Sequence, residues 1–441
     1  MTRFVTPLAF LLLAFTVAAC GSARGAYDDA MEAEAAGDLP RAFDRYHTAL
    51  RRDETIGTAR DRLAIVGRQL VEGSLADATR AEPTRAADLY IQAEGYVSRA
   101  AEVGVPLDLP GAFDADRDAA FAAAVASLIG AAAEARQTGT FSDALGLLRR
   151  ADTYRPTEEE RVALDDEARL IYTGWAEDDL ARGRFRRAFS STESALGFLA
   201  PESEAALALR SLQAAIVAAG SIRVAFFPLE TGSDTDGDRG PVGRTGTRPP
   251  FGFVADLDDV LNDDHWTRPP LFVLSADPAD VRRALRRERD ANDLFRNHAL
   301  LSSLAGDLDA DLGAAMEVIG WSETEEEASR DTRTADSRSG GTATYDRVRL
   351  RLERGATVEY VVVDARRQPV CEGEVRREAR TTLTVHEADD WRDLQLSRDD
   401  RRLFTEDHRD ETEADLHADL LERLAGAVAE RVYRCIGQRV P

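Results

Sequence analysis

Three cysteines and six histidines are the side chains of this 441-residue sequence best suited to chemistry, and lysine is absent. All 56 basic residues are therefore arginines. A phosphate-loop lysine, a Schiff-base lysine and a lysine general base are excluded, because arginine cannot replace the lysine amine in these roles. The sequence also contains no GxSxG elbow, HExxH helix or Cys/His nucleophile pair. We therefore expect neither enzymatic activity nor a cofactor.

The first cysteine follows an apolar segment. Residues 8–19 are apolar except for one threonine, and Arg3 is the only charged residue before Cys20. This run is shorter than the ~20 residues that span a bilayer, so it predicts a secretory signal peptide over residues 1–19. It ends in Val17-Ala18-Ala19-Cys20-Gly21, which resembles the lipobox of bacterial lipoproteins. The resemblance implies that the Cys20 thiol accepts a lipid such as palmitate; ordinary secretory cleavage beside an incidental cysteine is the alternative.

Lipidation predicts where the protein is found. Two acyl chains anchor a protein stably, since each buried CH₂ contributes ~0.8 kcal/mol. We expect a lipid anchor in a bacterial cell envelope, on the periplasmic side of the outer membrane. The net charge of −24 argues against nucleic-acid partners, whose phosphates it would repel. This acidity predicts a solvated surface, with a cationic partner as the alternative.

The two remaining cysteines, Cys371 and Cys435, would lie in an oxidising compartment. A disulfide between them would stabilise the fold by ~4 kcal/mol in the chain-entropy description. Two buried free thiols are the alternative interpretation. The spacing contains no CxxC pattern, so it predicts neither redox catalysis nor a zinc site.

Three histidines lie among acidic residues, but their spacing matches no metal-ligand pattern, and we expect no metal; they are His386, His408 and His417. Residues 234–238 resemble the start of a calcium loop. Arg239 replaces its glycine and Thr245 its glutamate, which favours a solvated loop.

A row of arginines shares one predicted helical face, consisting of Arg282, Arg283, Arg286 and Arg287. This face could meet an anionic partner such as a glycan phosphate. The neighbouring acids, Asp280, Glu288 and Asp290, favour a solvated surface instead.

The N-terminal part, residues 20–219, predicts helical pairs. Residues 124–156 resemble a tetratricopeptide repeat through their small and apolar side chains, which are Leu128, Ala131, Ala132, Ala135, Gly139, Phe141, Ala144, Leu148, Ala151 and Pro156. Four copies have their turns at Gly37, Ala81, Gly139 and Gly183, spaced further apart than the usual 34 residues. Such arrays hold peptides or partner proteins; a strut without a groove is the alternative.

The C-terminal part, residues 220–441, predicts an α/β domain with one mixed sheet, so the expected fold class is α + α/β. Strands are expected at 222–229, 271–274, 315–321, 348–352, 358–363 and 370–385. Helices are expected at 254–261 and 278–289, with a final amphipathic helix containing Leu416, Leu420, Leu424, Val428 and Val432. We expect flexible loops at 231–250 and 322–344.

Several motifs of this half carry a family resemblance. They are Val-Ala-Phe-Phe-Pro at 224–228, Phe-Val-Leu-Ser-Ala-Asp-Pro-Ala-Asp-Val-Arg-Arg-Ala-Leu at 272–285, and Val363-Asp364-Ala365 before Cys371-Glu372-Gly373. Residues 220–436 resemble the α/β domain of the curli-secretion lipoprotein and of the lipoprotein activators of penicillin-binding proteins. The resemblance implies a non-enzymatic domain that binds partners or builds a secretion pore. The acidic composition of 322–344 argues against membrane-spanning strands there.

Together these features predict a membrane-anchored envelope lipoprotein that acts as a scaffold or adaptor for a protein partner. The alternative is a component of a secretion or export channel of the curli-secretion type.

Overall fold

The computed structural model of the chain describes residues 22–228, 230–231, 249–250, 252–287 and 294–440. Cys20, the expected signal peptide and the calcium-like segment lie outside these ranges. Within these ranges the chain forms two compact units, the first from residues 22–178 and 190–210 and the second from residues 179–189 and the described part of 211–440. Helices come first and a mixed sheet follows, as the predicted fold class requires.

Nine helices precede the first strand in the described part of the chain. They are α1 Ala23–Ala35, α2 Leu39–Arg52, α3 Gly57–Ala78, α4 Pro83–Glu102, α5 Phe113–Gln137, α6 Phe141–Asp152, α7 Glu158–Ala181, α8 Phe185–Leu196 and α9 Glu204–Gly220. Consecutive helices pair through short turns. Gly37 and Gly139 each adopt a φ of 78° in these turns, a backbone conformation in which a Cβ atom is strained.

The core of the helical unit combines aromatic rings with alanines. Phe43 and Tyr96 meet edge to face, with ring centroids 5.1 Å apart. Fully buried alanines such as Ala42, Ala87 and Ala124 let neighbouring helices approach closely. Helix α5 is the one described helix long and apolar enough to cross a membrane, but a core helix passes the same test. Its buried residues pack into the helical core, among them Phe121, Val125 and Leu128.

The second unit is built on one sheet. Its strands are β1 Ile222–Phe226, β2 Glu230–Thr231, β3 Val273–Ser275, β4 Leu312–Asp336, β5 Thr342–Asp364 and β6 Pro369–Glu387. The strand order is β3-β1-β4-β5-β6, and β2 also pairs with β4. Strands β3, β1 and β4 are parallel, whereas β4, β5 and β6 form an antiparallel ribbon.

Helices lie against both faces of this sheet. They are α10 Phe253–Val260 with a π-helical turn Leu261–Trp266, α11 Pro278–Leu285, α12 His298–Asp307 and α14 Glu406–Gly437, while the short helix α13 Arg398–Arg402 has no buried residue. On one face, Leu420 and Leu424 of α14 pack with Val358 of β5. On the other, Leu301 of α12 packs with Ala315 and Val361. The alternation of side chains along each strand separates the two cores.

The prediction of a flexible loop at 322–344 is wrong. Strand β4 continues to Asp336, and β5 begins at Thr342 after a turn with Gly340 at a φ of 97°. These strands are polar because little of this end is buried, so the alternation of apolar residues is missing. Cross-strand ion pairs replace it: Arg330 donates to Asp346 at 3.1 Å and to Glu387 at 2.8 Å.

Other boundaries also differ from the expectation. The strands expected at 348–352 and 358–363 are one strand, which passes through Gly355. A Cβ atom at Gly355 would lie 2.6 Å from Ser322 Oγ, so this glycine serves a close approach between strands rather than a break. Helix α11 ends at Leu285, and residues 288–289 of the expected helix lie outside the described ranges.

Candidate functional site

The two downstream cysteines lie at disulfide distance. Cys371 is on edge strand β6 and Cys435 is near the end of α14, with their Cα atoms 6.4 Å apart. This separation falls within the usual range for a disulfide. A bond here would tie the terminal helix to the edge of the sheet. The geometry suits the predicted bridge, whose formation stays a prediction.

The three candidate histidines do not come together. His386 is buried between Tyr345 and Phe404, with ring centroids 4.8 Å and 5.1 Å away. Burial lowers its pKa. His417 Nε2 instead lies 3.3 Å from Asp256 Oδ2, on α10. Within the described ranges, no group of three or more His, Cys, Asp or Glu residues could hold a metal ion.

Two of the four arginines, Arg283 of α11 and Arg287 beyond the end of that helix, border a cleft of about 650 Å³. Arg283 donates to Asp280 at 2.6 Å, and Arg223 of β1 lies 3.7 Å from Asp309. The polar lining residues are Arg223, Arg283, Arg287, Asp277, Asp280, Asp307 and Asp309. Acids thus match the arginines, and the lining has no excess of positive charge for an anionic ligand. The sequence could not indicate this cleft, because Arg223 and Asp309 are far from α11 along the chain.

The helical unit carries large apolar side chains on its surface. Five of the seven in the described ranges lie on α1, α3, α7 and α9, namely Met31, Ile65, Val162, Leu170 and Leu207; the other two are Ile91 of α4 and Phe198, just beyond α8. Ile65 is 44% exposed and Val162 is 57% exposed. Single exposed apolar residues are common on soluble proteins, whereas their recurrence on alternate helices makes this surface the candidate to test. We take these five residues, the apolar set, as the candidate functional site.

Ion pairs link neighbouring helices of the helical unit. Glu94 of α4 accepts from Arg117 of α5 at 2.7 Å and from Arg155, beyond α6, at 3.1 Å. Arg136 of α5 donates to the buried Glu167 of α7 at 2.7 Å. The arginine fork suits carboxylates on neighbouring helices, so the absence of lysine favours these contacts.

Buried tyrosines join these networks. Tyr154 donates its hydroxyl proton to Asp88 of α4 at 2.8 Å, and Arg150 donates to the same carboxylate at 3.0 Å. Burial and the Asp88 hydrogen bond raise the pKa of Tyr154, so the phenol stays a donor. Satisfied buried networks rigidify the packing around them. These networks therefore make the helical unit a rigid support for the surface that it carries.

Comparisons with known proteins add no information about function. No protein-family model matches the chain, and no curated protein matches it. The functional argument therefore depends on the residues and their geometry.

Proposed function

We propose that this protein is a lipid-anchored scaffold or adaptor of the bacterial cell envelope, which binds a partner protein through its helical unit. The observation that carries the proposal is the apolar set, which recurs on α1, α3, α7 and α9. A partner that covered these side chains would remove apolar surface from water, at about 25 cal/mol per Å². The scaffold itself needs no catalytic group.

The arrangement of the helices supports a tetratricopeptide-like repeat. Three predicted turns, at Gly37, Gly139 and Gly183, fall between paired helices and have positive φ angles. The remaining predicted turn, at Ala81, falls between α3, which ends at Ala78, and α4, which begins at Pro83. Stacked helical pairs present extended surfaces to peptides and proteins, which suits an adaptor.

The lipid anchor is proposed from the sequence alone. The apolar segment at 8–19 and the small residues before Cys20 support it. A tether at the mature N-terminus would hold the helical unit close to the membrane surface. Radiolabelled palmitate should label the native chain, and Cys20→Ser should abolish the label.

A scaffold fits the β4–β5 hairpin better than a secretion channel does. Strands in contact with lipid alternate apolar and polar side chains over about ten residues. The outer half of β4 instead carries consecutive acids at Glu325, Glu326 and Glu327, and its residues are mostly exposed. Consecutive residues of a strand point to opposite faces, so whichever face met lipid would carry a glutamate there, which favours the adaptor.

Crosslinked co-purification from membranes, followed by mass spectrometry, tests the adaptor function. The variant Ile65→Glu with Val162→Glu should lose the captured partner. Leu274→Glu is the matched control, since Leu274 is 50% exposed but belongs to the second unit. Loss with both variants, or with neither, would contradict binding through the apolar set.

A further inference from the structure

Strand β6 is an edge of the sheet. Its residues pair with β5 on one side, for example Val375 with Val358 and Arg377 with Ala356. No described strand pairs with its other side. Strand β6 contains 19 residues, in contrast to the three of edge strand β3. A long edge with unpaired backbone groups is a template for another strand.

The backbone groups on the outer side of β6 can be identified. The N–H of His386 donates outward to Leu403 O at 2.9 Å, and Arg439 donates to Val370 O at 3.4 Å. Backbone groups alternate between the two sides of a strand, so the even-numbered residues point outward. Between these two points, no backbone–backbone hydrogen bond from another described segment reaches the outer side of β6.

The charged side chains of β6 could pair with those of a second, antiparallel copy of the strand. Arg376 and Glu378 are both outward residues, and their side chains meet at 2.7 Å within one chain. In an antiparallel pair of β6 strands symmetric about Arg377, Arg376 of each copy lies opposite Glu378 of the other. Opposite charges facing each other across two strands are stabilising.

Two neighbouring registers, centred on Glu378 and on Ala379, are less favourable. Symmetry about Glu378 would place Arg376 opposite Arg380, and Glu378 opposite its own copy. Symmetry about Ala379 would pair Glu378 with Arg380, but Arg380 is already held by Glu353 of β5 at 2.8 Å. Arg376 has a side-chain exposure of 64% and can turn to a partner at little cost.

We propose that the free edge of β6 binds a second copy of this chain, antiparallel and symmetric about Arg377, to form a continuous sheet across a dimer. The edge supplies main-chain hydrogen bonds, and the two reciprocal Arg376–Glu378 pairs set the register. The interface is isologous, as in most homodimers.

Arg377 weakens this association. Its guanidinium donates to the carbonyl of Arg376 at 2.8 Å, and that carbonyl points outward. Pairing must break this bond and place the two Arg377 side chains opposite each other. The dimer is therefore reversible, and removing the Arg377 side chain strengthens it.

Sedimentation equilibrium of the full chain carrying Cys20→Ser tests the dimer. Arg376→Glu should weaken association about ten-fold, because two attractive pairs become repulsive. The double variant R376E/E378R should restore association, and R377A should strengthen it. Arg351→Glu is the control: it changes an exposed arginine of β5, which is not an edge strand, and should leave association unchanged. A wild-type chain that stays monomeric, or equal effects of R376E and R351E, would overturn the proposal.

A cysteine at the symmetry axis tests the register. The two copies of residue 377 would form a non-hydrogen-bonded pair with Cα atoms about 4.5 Å apart, which suits a disulfide. Arg377→Cys should therefore give a covalent dimer on mild oxidation, whereas Thr381→Cys should not. Cross-linking of neither variant, or of Thr381→Cys alone, would overturn the symmetric register. Neither readout depends on the partner of the helical unit, so this proposal can fail without the adaptor function failing.

Discussion

Arg62 on α3 binds Glu34 on α1, with Nε 3.1 Å from Oε2, and the same oxygen accepts the hydroxyl proton of the fully buried Tyr46 at 2.7 Å. One carboxylate thus joins three successive helices. Burial and the Glu34 hydrogen bond raise the pKa of Tyr46, which keeps the phenol protonated as the donor.

Replacing Glu34 by alanine should lower the free energy of unfolding by about 2 kcal/mol, because the buried Tyr46 hydroxyl loses its carboxylate acceptor. Urea denaturation of the purified chain measures this. Asp29→Ala is the control, since the Arg45–Asp29 pair at 3.8 Å is exposed and should contribute little. Equal losses of unfolding free energy from the two variants would show that the Glu34 network contributes no more than an exposed ion pair.

Acidification should destabilise the second unit through His386. Its folded-state pKa is lowered by burial first and by Arg347, while Asp400 acts in the opposite direction. The unfolded chain then binds the proton more readily, so this stability is complete above the unfolded pKa of about 6.5 and is lost as pH falls through the lowered folded pKa.

Thermal denaturation between about pH 8 and pH 5 measures this dependence. His386→Phe keeps an aromatic ring between Tyr345 and Phe404 but cannot take up a proton. The midpoint temperature of this variant should therefore change less with pH than that of the wild type. His408→Gln, which changes a less buried histidine of α14, should keep the wild-type slope. An unchanged slope in His386→Phe would assign the acid sensitivity to other groups.

If the protein is held in the cell envelope as proposed, the Cys371–Cys435 pair should be oxidised in the protein as isolated. A bond across 64 residues should stabilise the fold by about 4 kcal/mol in the chain-entropy description. Alkylation without reductant, followed by mass spectrometry, should leave both residues unmodified, and C371S/C435S should unfold at lower urea. Labelling of both thiols in the unreduced protein would rule out the bridge.

Local signals in the sequence were sufficient for some elements. Gly37 and Gly139 could be identified as turns because glycine, which has no Cβ atom, adopts a positive φ angle without a steric penalty. The C-terminal helix was predictable because its apolar residues recur with helical spacing and pack on the sheet.

Other elements depend on residues that are distant in the chain. The outer half of β4 carries no apolar alternation, and its pairing depends on contacts such as Arg330 with Glu387, 57 residues away. The apolar set also needed the structure, since Ile65 and the buried Leu63 are two positions apart on α3 and equally apolar. Only packing distinguishes a surface leucine or isoleucine from a core one.

Gly313 tests how closely α12 approaches the sheet. A Cβ atom at this position would lie 3.0 Å from the carbonyl oxygen of Leu301 and 3.2 Å from the Cβ of Ala305. Gly313→Val should therefore push α12 away from β4 and lower the free energy of unfolding by about 1–3 kcal/mol. Gly306→Ala, on α12 itself, is the matched control, because nothing lies within 4 Å of its added methyl group. That variant should be neutral or stabilising by up to about 1 kcal/mol, since alanine is the better helix former. If the two variants had equal stability in urea denaturation, α12 would not pack on β4 at this distance.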